Sequence, residues 1–366
     1  MAMQAAIKAL RRAKKRFIRL VVEVNYWLCR EVCRMPYGEA ERLLQQFHPM
    51  PDSSAIAEHL LEAPEYDLLI IIPAYNAEKW LKESVDSVLS QDTDYSFLLR
   101  IIDDGSTDRT SEIADSYFHD SRVEVIHQEN RGYSGARNRG LEHINAQYIM
   151  FVDSDDYLLP GAIQALLTKA FAEDADIVEG NGYRFSEIGV IGRIKNNPTE
   201  TFGVPWMKVI RASLFEHIQF PPDYLYEDKI IGSLIERLSE QYLTIPDEVY
   251  AYRIHSASIT QTHDCNPRRL DSYWMMWRMQ WDQEQLGIIP DYDNYIRAMR
   301  QLIMTYGRTI LLPEEIKQAI FVGSRKFLEE YYSEYLETDD QCRKLSRAVM
   351  RGEYGRYKVF CENYMI

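Results

Sequence analysis

The sequence predicts an α/β protein built on a doubly wound sheet, and three observations carry that expectation. Continuous apolar, β-branched runs alternate with helical patterns through the middle of the chain. The runs end at Pro73, at Asp103-Asp104-Gly105 and at Asp153, where polar clusters begin. In such sheets ligands bind outside the carboxyl ends of the strands, so these clusters are expected on one rim.

Residues 5–34 contain neither Pro nor Gly. Ile7, Leu10, Phe17, Val21, Val24 and Leu28 recur at helical spacing, which predicts one helix. Nine basic side chains face only Glu23 and Glu31 over residues 1–34. The helix then either lies on an anionic membrane surface or partner, or packs on its own body with a solvated basic side. Arg19 and Glu23 interrupt its apolar stretch and no small-residue cleavage site follows, so no signal peptide is expected. No run reaches the roughly 18 apolar residues of a membrane span. Met35-Pro36-Tyr37-Gly38 breaks the helix, and a short helical stretch and a loop over 51–54 follow.

Strands are predicted at 68–72, 97–102, 123–126 and 148–152, with helices at 77–90, 110–118 and 133–144 between them. A helix at 160–172 and a strand at 176–179 come next. Residues 180–265 read as mixed, and the chain is mostly helical from 267. Three domains are expected: a basic helical extension at 1–65, a catalytic domain at 66–265 and a helical domain at 266–366. The segment 270–285 is apolar around most of its circumference, through Tyr273, Trp274, Met275, Met276, Trp277, Met279 and Trp281. It is expected to be buried against the catalytic domain or in a homodimer.

Outside its basic start the chain is acidic, with a net charge of −14 overall, which argues against a nucleic-acid partner. Five cysteines without metal-type spacing fit a reduced, cytosolic setting.

The densest chemistry is Asp153-Ser154-Asp155-Asp156. Three carboxylates past a buried strand would repel one another, and a divalent cation resolves this with hard oxygen ligands. Asp-x-Asp alone is more often a solvated turn or helix cap; the strand-end position, beside other acidic strand ends, favours a site. Asp104 offers a carboxylate to a base N–H or ribose hydroxyl, whereas Asp108 looks like a helix N-cap. The segment from Asn130 to Gly140 opens a helix with small residues and arginines, which suits a diphosphate or else is a flexible loop. No G-x-G-x-x-G is present here, so a dinucleotide enzyme is not expected.

Residues 70–78, Asp104-Gly105-Ser106-Thr107-Asp108, Ala136-Arg137-Asn138-Arg139-Gly140 and 151–156 occur in that order. They resemble the motifs of the family 2 glycosyltransferases over about residues 66–262. The resemblance implies an A-type, Rossmann-like mixed sheet with helical N-terminal and C-terminal extensions. It implies that Pro73, Tyr75 and Glu78 line the base and ribose pocket, Asp104 reads the base and Arg137 contacts the nucleotide. Asp153 and Ser154 would meet the donor, and Asp155 would bind Mn²⁺ or Mg²⁺. The family commonly has Asn where Asp103 stands. Trp206 and Lys208 resemble an acceptor-side Trp-x-Lys stretch. Glu227-Asp228 resembles the Glu-Asp motif, Glu227 on the acceptor side and Asp228 as general base; by sequence alone both equally suit acids opening a helix at 229–238. Arg253 would neutralise the leaving group, and His255 would be a second metal ligand, although a lone His is usually structural.

The implied activity is metal-dependent, inverting transfer of one sugar, with UDP-sugars favoured, to a glycan, lipid-linked or polymer hydroxyl. Membrane helices and the Gln-x-x-Arg-Trp motif of processive synthases do not appear. The expected place is the cytoplasm, peripheral to the inner membrane face if the basic helix binds lipid. Two other classes stand against this reading. A catalytically silent module would keep the fold but not the acids, and a nucleotidyltransferase would need a Gly-rich triphosphate loop where Pro73-Ala74-Tyr75-Asn76 stands.

Overall fold

The protein is described by a computed structural model that covers residues 26, 28, 29, 31–196, 203–255, 265–336 and 342–364. Most of the expected helix at 5–34 lies outside these residues, as do residues 256–260. The described residues group into two compact units, one within 51–262 and 278–288, the other within 1–50, 263–277 and 289–366. Residues 51–65 fall in the unit of the sheet, and the described residues before 51 fall in that of the C-terminal helices.

The first unit is a mixed sheet. Its strands are β1 (Leu60–Ala74), β2 (Phe97–Asp103), β3 (Val123–His127), β4 (His143–Phe151), β5 (Tyr157–Leu158), β6 (Ile177–Ser186), β7 (Gly189–Ile194), β8 (Lys208–Arg211) and β9 (Tyr242–Arg253). The order is β3-β2-β1-β4-β8-β6-β9-β5, with β7 beside β6. β1 to β4 run parallel and carry the register Ala74 to Asp103 to His127, so their carboxyl ends line up. β8 reverses direction against β4, which makes the sheet mixed. Helices α2 (Leu81–Leu89), α3 (Thr110–Asp115), α4 (Gly132–Leu141) and α5 (Ala162–Glu173) connect the strands.

The continuous apolar runs form strands because both sheet faces are covered: Leu68 to Ile72 are fully buried. Gly140 of α4 permits close packing on β1, since a Cβ there would sit 2.6 Å from Ile71 Cγ2. The expected helix at 133–144 is shorter than predicted. It ends at Leu141, and His143 and Ile144 instead pair with Leu60 and Leu61 of a β1 that starts eight residues early. Long-range pairing overrides local helical spacing here.

The second unit is helical: α1 (Tyr37–Phe47), residues 271–277 of α6 (Asp271–Gln285), α7 (Tyr292–Arg308), α8 (Glu314–Tyr331), α9 (Arg343–Met350) and α10 (Tyr354–Tyr364). Gly323 lets the Tyr273 ring lie against α8, and Trp277 meets Phe327 edge-on at 5.0 Å. The apolar circumference of α6 is thus buried within the chain, Trp281 excepted. Tyr26, near the end of the expected N-terminal helix, donates to the Lys344 carbonyl at 2.8 Å. That helix does not reach residue 34: Cys29 and Glu31 to Arg34 are not helical. Their backbone pairs elsewhere, Cys33 N–H with Gly352 O and Gly355 N–H with Glu31 O. Among the described residues no helix is long and apolar enough to cross a membrane.

Candidate active site

The loops after β1 and β2 are tied together at the rim. Asn76 N–H donates to Ser106 Oγ at 3.0 Å, and Thr107 N–H donates to Asn76 Oδ1 at 2.8 Å. Asn76 has a φ of 49°, a region Asn tolerates better than most residues. Asp108 accepts from Glu78 N–H and Thr110 N–H, so it holds the turn into α3. Pro73 is buried, whereas Tyr75 and Glu78 are exposed on the open side.

At the end of β2 the two aspartates divide their work. Asp104 is buried; its Oδ1 accepts from Gln128 Nε2 at 2.6 Å and Arg131 N–H at 2.8 Å. Its Oδ2 has no hydrogen bond among the described residues and can accept one from a ligand. Gly105 makes this closeness possible: at a φ of 72°, a Cβ would fall 2.8 Å from Asn130 N. Asp103 faces inward to Ser111 and His127, and His127 bridges on to Asp115 at 2.9 Å. Burial alone would raise the Asp103 pKa, but bonds from Ser106, Ser111 and His127 outweigh it and hold the carboxyl below its ordinary value.

The acidic turn after β4 is clamped by three residues from two elements. Tyr250 and Arg253 come from β9, Arg137 from α4. Asp153 N–H donates to the Tyr250 hydroxyl at 3.1 Å, and that hydroxyl donates to Asp156 Oδ2 at 2.9 Å. Asp156 also accepts from Arg253 N–H at 2.7 Å. It is fully buried, and desolvation together with Asp155 and Asp153 pushes its pKa well up. Asp156 therefore anchors the turn, a role the sequence did not assign. Arg253 Nε donates to the Asp155 carbonyl at 2.6 Å, and Arg253 Nη2 reaches Glu83. Arg253 thus braces the turn as well as lying beside it.

Asp155 and Ser154 stay on the half-exposed side. Asp155 Oδ2 lies 2.7 Å from His255 Nε2, and the His255 ring sits 4.2 Å from that of Trp80. One carboxylate oxygen and one imidazole nitrogen together suit Mn²⁺ or Mg²⁺ when phosphate oxygens complete the shell. Among the described residues no group of three or more His, Cys, Asp or Glu side chains is set to hold a metal. The pair fits a cation only in company with a ligand.

Arg137 is 4% exposed. It donates through Nη1 to Glu227 at 2.5 Å and through Nη2 to Asp153 at 3.0 Å. Burial works against its charge, but Asp153, Glu227 and Asp228 outweigh burial and raise its pKa. Burial also raises the pKa of Glu227, reinforced by Asp228 and opposed by Arg137. Asp228 is half-buried, and its carboxylate has no hydrogen-bond partner among the described residues. It precedes a helical segment at 229–238 that contains a π turn, Ile231–Ile235.

Trp206 stacks on Tyr250 at 5.1 Å and on Tyr252 at 5.2 Å, next to the clamp of the acidic turn. Lys208 differs from the expectation of an acceptor-side residue. Its side chain is completely buried, 3.5 Å from Glu179 and 3.4 Å from Glu236. The sheet explains this: Lys208 opens β8, whose first three residues are all buried, and pairs in register with Glu179 of β6. Met207 and Tyr226, each next to an expected acceptor-side residue, have φ of 70° and 75°. Non-glycine residues in that region mark strained backbone, often near functional sites.

The structure thus brings together Asp153, Arg137 and Glu227 by hydrogen bonds, and Asp228 by charge. Asp155, Arg253 and His255 form a second contiguous group, and Asp104 with Gln128 a third. Gln128, Tyr250 and Glu83 were not identified from the sequence. Each acts through a fold-dependent contact, and no spacing signal marks them.

Residues 69–225 match the family profile described as Glycosyl transferase family 2. "Glycosyltransferase GlyA" of Streptococcus pneumoniae serotype 4 is 32% identical over 219 residues, covering 53% of this chain and 31% of the relative. "Glycosyltransferase GlyG" of the same organism is 32% identical over 219 residues, covering 53% and 72%. The "uncharacterized glycosyltransferase YibD" of Escherichia coli K12 is 30% identical over 283 residues, covering 69% and 76%. The chain therefore spans less than a third of the first relative and about three quarters of the last. Among solved structures, residues 1–349 of S. aureus TarS in complex with UDP-GlcNAc superpose with a TM-score of 0.64 at 18% identity. That match covers 82% of this chain and 91% of the other, and shows a shared fold.

Proposed function

The chain belongs to glycosyl transferase family 2, and from that premise we propose that it moves one sugar from a nucleotide-sugar to an acceptor hydroxyl with inversion. The observation that carries this reading is the Asp228 carboxylate. It is half-buried, lacks a hydrogen-bond partner among the described residues, and interacts electrostatically with Arg137, Asp153 and Glu227. An acid so placed can take a proton from an acceptor hydroxyl.

In the proposed reaction the acceptor oxygen forms a bond to the anomeric carbon while the bond to the diphosphate oxygen breaks. Asp228 receives the acceptor proton. Asp104 Oδ2 accepts from the base, Tyr75 and Glu78 border the base and ribose, and Asp153 with Ser154 faces the donor. Asp155 and His255 would hold a divalent cation, which supplies charge neutralisation at the departing diphosphate. Arg253 stands beside that charge. UDP-sugars are the first donors to test, because the S. aureus structure was solved with UDP-GlcNAc.

The acceptor is proposed to be a glycan, lipid-linked or polymer hydroxyl on the cytoplasmic side. The basic residues between Lys8 and Arg19 would supply contact with anionic lipid. Replacing them with glutamine should reduce flotation on anionic vesicles; unchanged flotation removes that contact.

The reading is tested by nucleoside diphosphate release from a set of nucleotide sugars with and without Mn²⁺. Asp155→Ala is expected to abolish release. Full activity in that variant, or in the presence of chelator, overturns the metal-dependent reading.

A further inference from the structure

Arg137 lies in a segment whose resemblance implies contact with the nucleotide, but its surroundings differ from those of a ligand-facing cation. Its side chain is 5% exposed. One terminal nitrogen is taken by Glu227 and the other by Asp153. The guanidinium lies 5.3 Å from the Phe220 ring centre and 5.9 Å from that of Tyr133. Its Nε is buried without a hydrogen-bond partner among the described residues. A diphosphate could use this cation only by displacing carboxylates already paired with it, Glu227 buried and Asp153 partly buried, which is costly.

The two carboxylates it joins come from distant parts of the chain. Asp153 lies two residues past β4, in the acidic turn. Glu227 follows Tyr226, whose φ of 75° turns the backbone sharply, and it directly precedes Asp228. Without a cation between them, Asp153, Glu227 and Asp228 would repel one another across a poorly solvated space. A bidentate guanidinium holds both planes at once, which an ammonium on a single point of charge does not.

We propose that Arg137 is a positioning residue that fixes the segment carrying Asp228 to the donor-side acidic turn, and that it does not bind the nucleotide. This rests on the glycosyltransferase reading above for its catalytic half. The geometry of the tie itself stands apart from that reading.

The test uses the full chain with Arg137→Met, Arg137→Lys and Glu227→Gln. UDP affinity is measured by calorimetry with Mn²⁺, and kcat and KM with the donor found by the screen. Arg137→Met is expected to leave UDP affinity and donor KM near wild type and to lower kcat by about 10²-fold, the scale of a misplaced catalytic group. Arg137→Lys, which pairs with one acid at a time, should recover part of that loss and serves where the Met variant does not fold. UDP affinity weakened about tenfold or more with kcat retained at saturation would make Arg137 a nucleotide ligand and overturn the proposal. Unchanged kcat would overturn it too.

A double-mutant cycle on unfolding, Arg137→Lys with Glu227→Gln, separates the two readings. Non-additive destabilisation supports the tie; strict additivity overturns it. If the wild-type chain binds no nucleotide and transfers no sugar, the glycosyltransferase reading and the catalytic half fall together, while the cycle still decides the tie.

Discussion

Replacing Tyr250 by Phe tests whether the acidic turn is held from within. The Tyr250 side chain is fully buried, and its hydroxyl makes two bonds, donating to Asp156 at 2.9 Å and accepting from Asp153 N–H at 3.1 Å. Phe keeps the ring and its stack on Trp206, so the change isolates the oxygen. Losing a hydrogen bond to a carboxyl group costs about 1.5–3 kcal/mol if that group is charged, and a buried unpaired N–H about 1–3 kcal/mol. Burial and the neighbouring Asp155 and Asp153 oppose charge on Asp156 and push its pKa up, so the first figure belongs at its lower end. Together the expected loss is about 2–4 kcal/mol, read by urea unfolding. Because the same turn carries Asp155, donor affinity should weaken in parallel. A variant within about 0.5 kcal/mol of wild type, with unchanged donor affinity, would refute the clamp.

Lys208→Met tests the inward assignment of that residue. It would leave Glu179 and Glu236 buried without their cation, at an expected cost of about 3–5 kcal/mol. An unaltered unfolding free energy with impaired acceptor kinetics would instead return Lys208 to the acceptor side. His127→Gln tests the Asp103 network through pH. Hydrogen bonding to Asp103 is the largest cause raising the His127 pKa, with Asp115 adding to it and burial opposing. A raised imidazole pKa contributes stability fully below its ordinary value of about 6.5 and loses it as pH rises through the folded value. Asp103, held low, loses its own contribution only as pH falls below about 3.9 and through its folded value. The gap in melting temperature between wild type and the variant should therefore be larger at pH 6 than at pH 9; an equal gap at both contradicts the network.

The parallel half of the sheet was legible because its strands are buried on both faces and leave uninterrupted apolar runs. The register of those runs aligns Ala74, Asp103 and His127, and so the polar clusters fell on one rim as expected. Less was legible where pairing partners lie far apart in sequence. His143 and Ile144 look helical beside Leu141, yet β1 extends to Leu60 and claims them. Lys208 followed a motif position, but motif order does not show that β8 is covered on both faces. The Trp-rich segment of α6 is buried, as an all-round apolar helix must be, but the cover expected for it was the catalytic domain or a second subunit. The cover lies at least in part on α8 of the same chain, through Phe327 and Gly323. The anchoring role of Asp156 needed Tyr250, which sits 94 residues away.

Asp228 is the group proposed to take the acceptor proton. Asp228→Asn removes that basicity and little else. Measured side by side, donor affinity should remain near wild type while kcat falls by about 10²–10⁴-fold. Transfer at the wild-type rate by Asp228→Asn would contradict the account directly.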